Sequence, residues 1–292
     1  MSDTLDHRLF AYRPDLAEEA LKGQVEAKRF VPGEPAHVIE PVIDIRPRPD
    51  LSAIIDSQAL YGETLRVLDR RDGWAWIKCD RDDYVGYVYE EALELGVGKA
   101  THEVAVPRTF LYPGPDLKFP FSLALSIGSR LNIVGVAVTR DTRYLLLESG
   151  EAVIDSHCRP LDAERPTDPV TVAATFLETP YLWGGRSGFG LDCSGLVQIS
   201  FATTGYSAPR DSDMQAERLG AAIDPEKDGL QRGDLVFWKG HVGFIEDDGK
   251  TLLHASGGTM TVTREPLAAA IARIANLYGQ PTGYRRVSPD RQ

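Results

Sequence analysis

The sequence predicts an α+β domain preceded by two small all-β barrels. Three observations carry this. Two successive blocks of about 60 residues each consist of short strand-like runs between Gly and Pro turns. The second block loosely repeats the plan of the first. After a polar, proline-containing stretch, DAERPTDPV, the texture changes to helix-like segments followed by strands.

Residues 1–40 form an N-terminal helical or extended segment. Leu16, Ala17, Ala20, Leu21 and Val25 recur at helix-like spacing, which predicts a helix over 15–30. VPGEPAHVIEP then breaks the pattern with three prolines. Residues 41–98 make the first β block, with QALYGETLRVL, WAWIKC and YVGYVYEEAL as its strand-like runs. Residues 99–164 make the second, where RYLLLES echoes WAWIKC and GEAVIDSHCRPL echoes YVGYVYEEAL. Residues 165–292 make the α+β domain: Val170 to Glu178 and Cys193 to Thr204 are helix-like, and DLVFW, HVGFIED and TLLHAS are strand-like.

Composition narrows the function classes. Net charge is -11, from 32 Lys+Arg against 43 Asp+Glu, and no basic run occurs. This argues against nucleic-acid or anionic-membrane partners. The N-terminal residues lack the apolar core of a signal peptide, and no stretch of the chain approaches a membrane-spanning length. Three cysteines, an odd number, point to reduced thiols and a cytoplasmic location.

Cys193 stands where an amphipathic helix is expected to begin, behind Asp192 as N-cap. Free N–H groups and the helix dipole favour thiolate there, the condition of a nucleophilic cysteine. A small buried residue would occupy the same position equally well. A nucleophile needs a base, and His241 and His254 flank the turn of one predicted hairpin. With Asp247–Asp248 as loop they face each other; with Asp248–Gly249 they are diagonal neighbours. Both registers put the two imidazoles on one sheet face. Cys193, His241 and His254 then read as nucleophile, base and orienting group. Zinc is the competing use of such a set, but no C-x-x-C companion or fourth ligand has the right spacing, so no metal and no cofactor is expected.

TPYLWGG, LDCSGLV, RGDLVFW, HVGFI and LLHASG follow one another in that order. The set resembles the NlpC-type papain-like cell-wall peptidases over roughly residues 167–292. The first β block resembles bacterial SH3 domains; the second lacks the Trp and matches less well. The resemblance implies a papain-like catalytic domain and cleavage between γ-D-glutamate and a diamino acid in peptidoglycan peptides. It implies Cys193 as nucleophile, His241 as base and His254 as the third polar residue. Tyr181 and Trp183 would lie beside the nucleophile, Asp192 would meet the substrate's amino terminus, and Ser194 and Ser212 would line the groove. Tyr84 and Asp56, neither of them fixed by spacing, would contribute from the SH3-like region. The expected substrate is an L-Ala-γ-D-Glu-diamino acid peptide with a free amino end, met in the recycling of imported wall peptides. The rival is an exported hydrolase whose SH3-like domains bind the wall. Core roles for Tyr181 and Trp183, and a bare cap role for Asp192, stay open at this level.

Overall fold

The fold is given by a computed structural model that describes residues 5–287. The chain divides between Ala163 and Glu164 into two compact units.

The first unit contains the two β blocks, and they correspond strand for strand. The first runs through Glu34–Val38, Val42–Ile45, Ser57–Leu60, Thr64–Arg71, Trp74–Cys79, Val85–Tyr89 and Leu93–Leu95. The second runs through His102–Val104, Arg108–Leu111, Leu123–Ser126, Arg130–Leu131 with Ile133–Thr139, Thr142–Leu147, Ala152–Ile154 and Cys158–Pro160. A 3-10 turn precedes the last strand of each, Glu90–Ala92 and Asp155–His157. Each block encloses its own apolar core: Val38, Ile45, Leu65 and Ile77 in one, Leu111, Leu125, Leu145 and Val153 in the other.

The central hairpin explains why one copy is easier to read than the other. Both copies close it with two residues of positive φ. In the first they are Asp72 and Gly73, the residue types that take that conformation most readily. In the second they are Arg140 and Asp141, which leave little turn signal in the sequence.

Residues 15–30 are not the helix that their spacing predicts. They form a 3-10 turn, Glu19–Leu21, and a two-residue parallel ladder between Ala17–Glu18 and Phe30–Val31. Ala11 and Leu16 are buried against Leu68, Trp76 and Val85 of the first barrel. Arg13 lies over the Trp76 ring, 4.3 Å from its centroid, and pairs with Asp69. Packing on the barrel, rather than helix periodicity, accounts for the apolar spacing.

The second unit is built on a six-stranded antiparallel sheet. Its order is Ala221–Ile223, Gly283–Arg286, Leu235–Trp238, His241–Ile245, Thr251–Ser256, Thr261–Pro266. Helix Cys193–Thr203 packs on the face that carries Phe244, with Phe201 5.7 Å away ring to ring. Helix Leu267–Tyr278 puts Leu267, Ala270 and Ile274 against Ile245 and Leu252 on the other face. The first of these helices is central rather than amphipathic: Ser194, Gln198 and Ser200 are buried along with Leu196, Val197 and Ile199. Its polar side chains turn back on backbone carbonyls, Ser200 to Leu196 at 2.7 Å and Thr203 to Ile199 at 2.8 Å. No helix among the described residues is long and apolar enough to cross a membrane.

Candidate active site

Cys193 is the first residue of helix Cys193–Thr203, and Asp192 is the cap. The Asp192 carboxylate accepts from the Gly195 N–H at 2.7 Å, the Gly184 N–H at 3.0 Å and the Ser194 hydroxyl at 3.2 Å. Arg210, 1% exposed, closes a two-point ion pair on it at 2.7 and 3.0 Å. The glycines of W-G-G and D-C-S-G make this turn sterically feasible. A Cβ on Gly195 would stand 2.2 Å from the Gly185 carbonyl oxygen. The helix start therefore rests directly on the preceding loop.

His241 is the first residue after a two-residue turn, Lys239–Gly240, whose glycine has φ +77°. The Cys193 thiol lies on this turn, with Sγ 3.9 Å from the Gly240 carbonyl. The hairpin register pairs Phe244 with Leu253 and Ile245 with Leu252. Of the two registers the sequence allowed, this is the one centred on Asp248–Gly249, and the histidines are diagonal neighbours. His254 faces Gly243, where a Cβ would stand 2.9 Å from the His254 Cβ. That glycine lets the second imidazole lie flat enough to reach the first.

The rings meet at 73°, with His241 Nε2 2.8 Å from His254 Nδ1. His254 Nε2 lies 2.8 Å from Oε1 of Glu265, on the neighbouring strand. Arg273, from helix Leu267–Tyr278, holds the same carboxylate through two nitrogens. His241 Nε2 is thus occupied, and Nδ1 is the ring atom left for the thiol. Glu265 is missing from the sequence reading, as are Arg210 and Arg273. Glu265 lies eleven residues beyond His254 on another strand, and only the sheet register brings them together.

Electrostatics modify the thiolate expectation. Burial pushes the Cys193 thiol up, and the Asp192 charge adds to it. The Val242 and Ser194 N–H groups and Arg210 act the other way. Burial, with His254 and Arg273, pulls the His241 imidazole down. Burial therefore works against the helix terminus and favours the uncharged forms of both groups, thiol and neutral imidazole. Glu265 is held down at about 2, first by the His254 hydrogen bond, so it is ionised at neutral pH.

The remaining expected residues fall in different settings. Tyr181 is half-buried, and burial together with Cys193 and Asp192 raises its phenol, keeping it a proton donor. Trp183 is 61% exposed and is not a core aromatic. Ser194 is not an open groove hydroxyl: it is buried, donates to Asp192 and accepts from Arg210 at 2.9 Å. Asp192 likewise is not a bare carboxylate awaiting an amine, because Arg210 and two backbone N–H groups already occupy its oxygens. Ser212 opens helix Ser212–Arg218, which is tied to the nucleophile's turn by Gln215 bonding the Ser194 carbonyl at 3.0 Å. Asp56 and Tyr84 belong to the first unit. The Asp56 N–H donates to Ile45 at 2.9 Å, and the Tyr84 ring is part of the first barrel's core. Among the described residues no His, Cys, Asp and Glu cluster is arranged to hold a metal ion.

Residues 178–278 match the NlpC/P60 family, and residues 45–93 match the bacterial dipeptidyl-peptidase Sh3 domain. A gamma-D-glutamyl-L-lysine dipeptidyl-peptidase of Bacillus subtilis is 31% identical over 219 residues, covering 70% of this chain and 69% of that protein. The Bacillus cereus protein of the same name is 30% identical over 220 residues, covering 68% of this chain and 63% of that one, just under two thirds of its length. A crystal structure of an NlpC/P60 family protein from Bacillus cereus superimposes with a TM-score of 0.71 at 23% identity, over 88% of this chain and 100% of that one. At that identity the likeness speaks for the fold.

Proposed function

The chain belongs to the NlpC/P60 family of peptidases, and from that premise we propose that it hydrolyses the γ-D-Glu–diamino acid bond of peptidoglycan-derived peptides with a free N-terminal L-Ala. One observation carries the reading: Cys193 at a helix start, beside a histidine that heads an unbroken His241–His254–Glu265 hydrogen-bonded series. The names of the two Bacillus relatives support the bond, and a dipeptidyl-peptidase by definition acts from a free amino end.

The steps follow from the atoms present. Sγ attacks the γ-glutamyl carbonyl as its proton passes to His241 Nδ1. The oxyanion forms beside the first N–H groups of the helix and the Tyr181 hydroxyl. His241 hands its proton to the departing amine, leaving a thioester. Water then loses a proton to His241, attacks the thioester and releases the glutamyl acid and the thiol. The imidazolium formed on the way is stabilised through His254 by the ionised Glu265.

Recognition of the amine falls, within this proposal, to the surface around Trp183 and Ser212, with the Asp192 charge offset by Arg210. The reaction is placed in the cytoplasm, in wall-peptide recycling. Three free cysteines support a reducing compartment. The test is product analysis on L-Ala-γ-D-Glu-diaminopimelate and L-Ala-γ-D-Glu-L-Lys, each with and without N-acetylation. We expect cleavage of the free peptides and none by Cys193→Ala. Equal rates on acetylated peptide would remove the amine recognition, and activity in Cys193→Ala would remove the mechanism.

A further inference from the structure

The hydrogen-bonded series continues past the three residues that a cysteine peptidase needs. Its far end is Glu265, which meets His254, and Arg273, which meets Glu265. Its role follows from counting donors and acceptors. An ionised carboxylate has no proton to give, so the atom 2.8 Å from Glu265 Oε1 must be an N–H: His254 Nε2. A neutral His254 then has only a lone pair at Nδ1. The 2.8 Å contact to His241 is satisfied only if His241 Nε2 carries the hydrogen. The remaining His241 nitrogen, Nδ1, is left with its lone pair, the form that accepts a thiol proton.

We infer that Glu265, clamped by Arg273, is a positioning residue that fixes the tautomer of His254 and through it directs the lone pair of His241 toward Cys193. The inference rests on the catalytic reading of Cys193 and His241. The geometry suits the task. His254 is 1% exposed, so water does not compete for its nitrogens. Its partners come from the strands on both sides, His241–Ile245 and Thr261–Pro266, so the sheet register itself sets the spacing. The charged or titratable groups in this series are His241, Glu265 and, behind the carboxylate, Arg273. Arg273 also restricts the carboxylate to one orientation by holding both oxygens.

The experiment uses the full chain labelled with ¹⁵N-histidine and reads ring tautomers by long-range proton–nitrogen correlation, assigned with His241→Gln and His254→Gln. Wild type should show a single Nε2–H form at both residues. In Glu265→Gln the amide offers a donor as well as an acceptor, so His254 should become a mixture of tautomers. Glu265→Leu should do the same more completely; a thermal melt shows whether it is folded, and Glu265→Gln, nearly isosteric, keeps the test available if it is not. In parallel, alkylation of Cys193 by iodoacetamide is followed against pH, with Cys193→Ala as blank. It should slow by about 10- to 100-fold at neutral pH, within the range for a misdirected base. Arg273→Gln should shift both readouts the same way by less. Single Nε2–H forms persisting in folded Glu265→Gln and Glu265→Leu, or an unchanged alkylation profile, would overturn the inference. Neither readout uses a peptide. If the substrate proposal is wrong, peptides stay uncut while the tautomers still respond to Glu265.

Discussion

Two arginine-clamped carboxylates flank the reacting groups, and they are not alike. Asp192 and Arg210 stand on the nucleophile's side, Glu265 and Arg273 on the base's side. Arg210 is fully enclosed, whereas the Arg273 side chain is 46% exposed. Asp192 binds backbone N–H groups on both sides of the helix start, so it builds the turn that carries Cys193. Glu265 binds one imidazole, so it adjusts a proton without holding the backbone together. A carboxylate–arginine pair thus serves construction on one side and tuning on the other, and burial decides which.

The largest effect should come from Arg210→Leu. It strands a buried carboxylate and should cost about 3–5 kcal/mol, read by urea unfolding. Arg273→Leu, at a solvent-facing pair, should cost about 1 kcal/mol or less. Equal losses would erase the distinction. Next, Gly195→Ala presses a methyl onto the Gly185 carbonyl and should cost about 1–3 kcal/mol while displacing the thiol. Wild-type stability with full activity in this variant would show that the helix start tolerates a wider turn.

Acid separates the two sides further. The folded-state value of Glu265 lies below its unfolded one, so its contribution is present above about pH 4.3 and fades as pH falls toward about 2. That contribution is on the order of 1–2 kcal/mol after allowance for its partial exposure. Glu265→Gln should flatten the stability profile across this window, and parallel wild-type and variant curves would contradict the His254 bond. His241 is also depressed, so folding weakens as pH drops below about 6.5, where the unfolded imidazole takes up a proton first. The acid limb of kcat/KM should sit below pH 6.5 for the same reason. An acid limb above that value would mean that His241 is more basic than its burial allows.

Much of this site is legible in the chain. Cys193 behind a capping acid, and two histidines straddling a D-G turn, are local patterns, and local patterns survive in sequence. The register of that hairpin is not legible, since either alignment keeps both imidazoles on one face. Arg210 and Glu265 escape notice because only tertiary approach brings them in. The helix expected over 15–30 fails for a related reason: Leu16 and Leu21 are buried, but as part of a strap on a barrel rather than one face of a cylinder. The second barrel is faint where the first is plain because Arg140 and Asp141 make a turn that Asp72 and Gly73 announce.

That strap has a consequence for how the protein is made. Residues 8–31 leave the ribosome dozens of residues before Leu68, Trp76 and Val85, the side chains that bury Ala11 and Leu16. The Arg8 carbonyl likewise waits for the Val85 N–H, and Glu18 for Lys78. The earliest stretch of the nascent chain has little to fold onto until the barrel's central hairpin emerges, and it must be kept from other partners in the interval. A chain shortened before about residue 90 would expose this apolar strap to solvent, so early termination products should be conspicuous to proteases and chaperones.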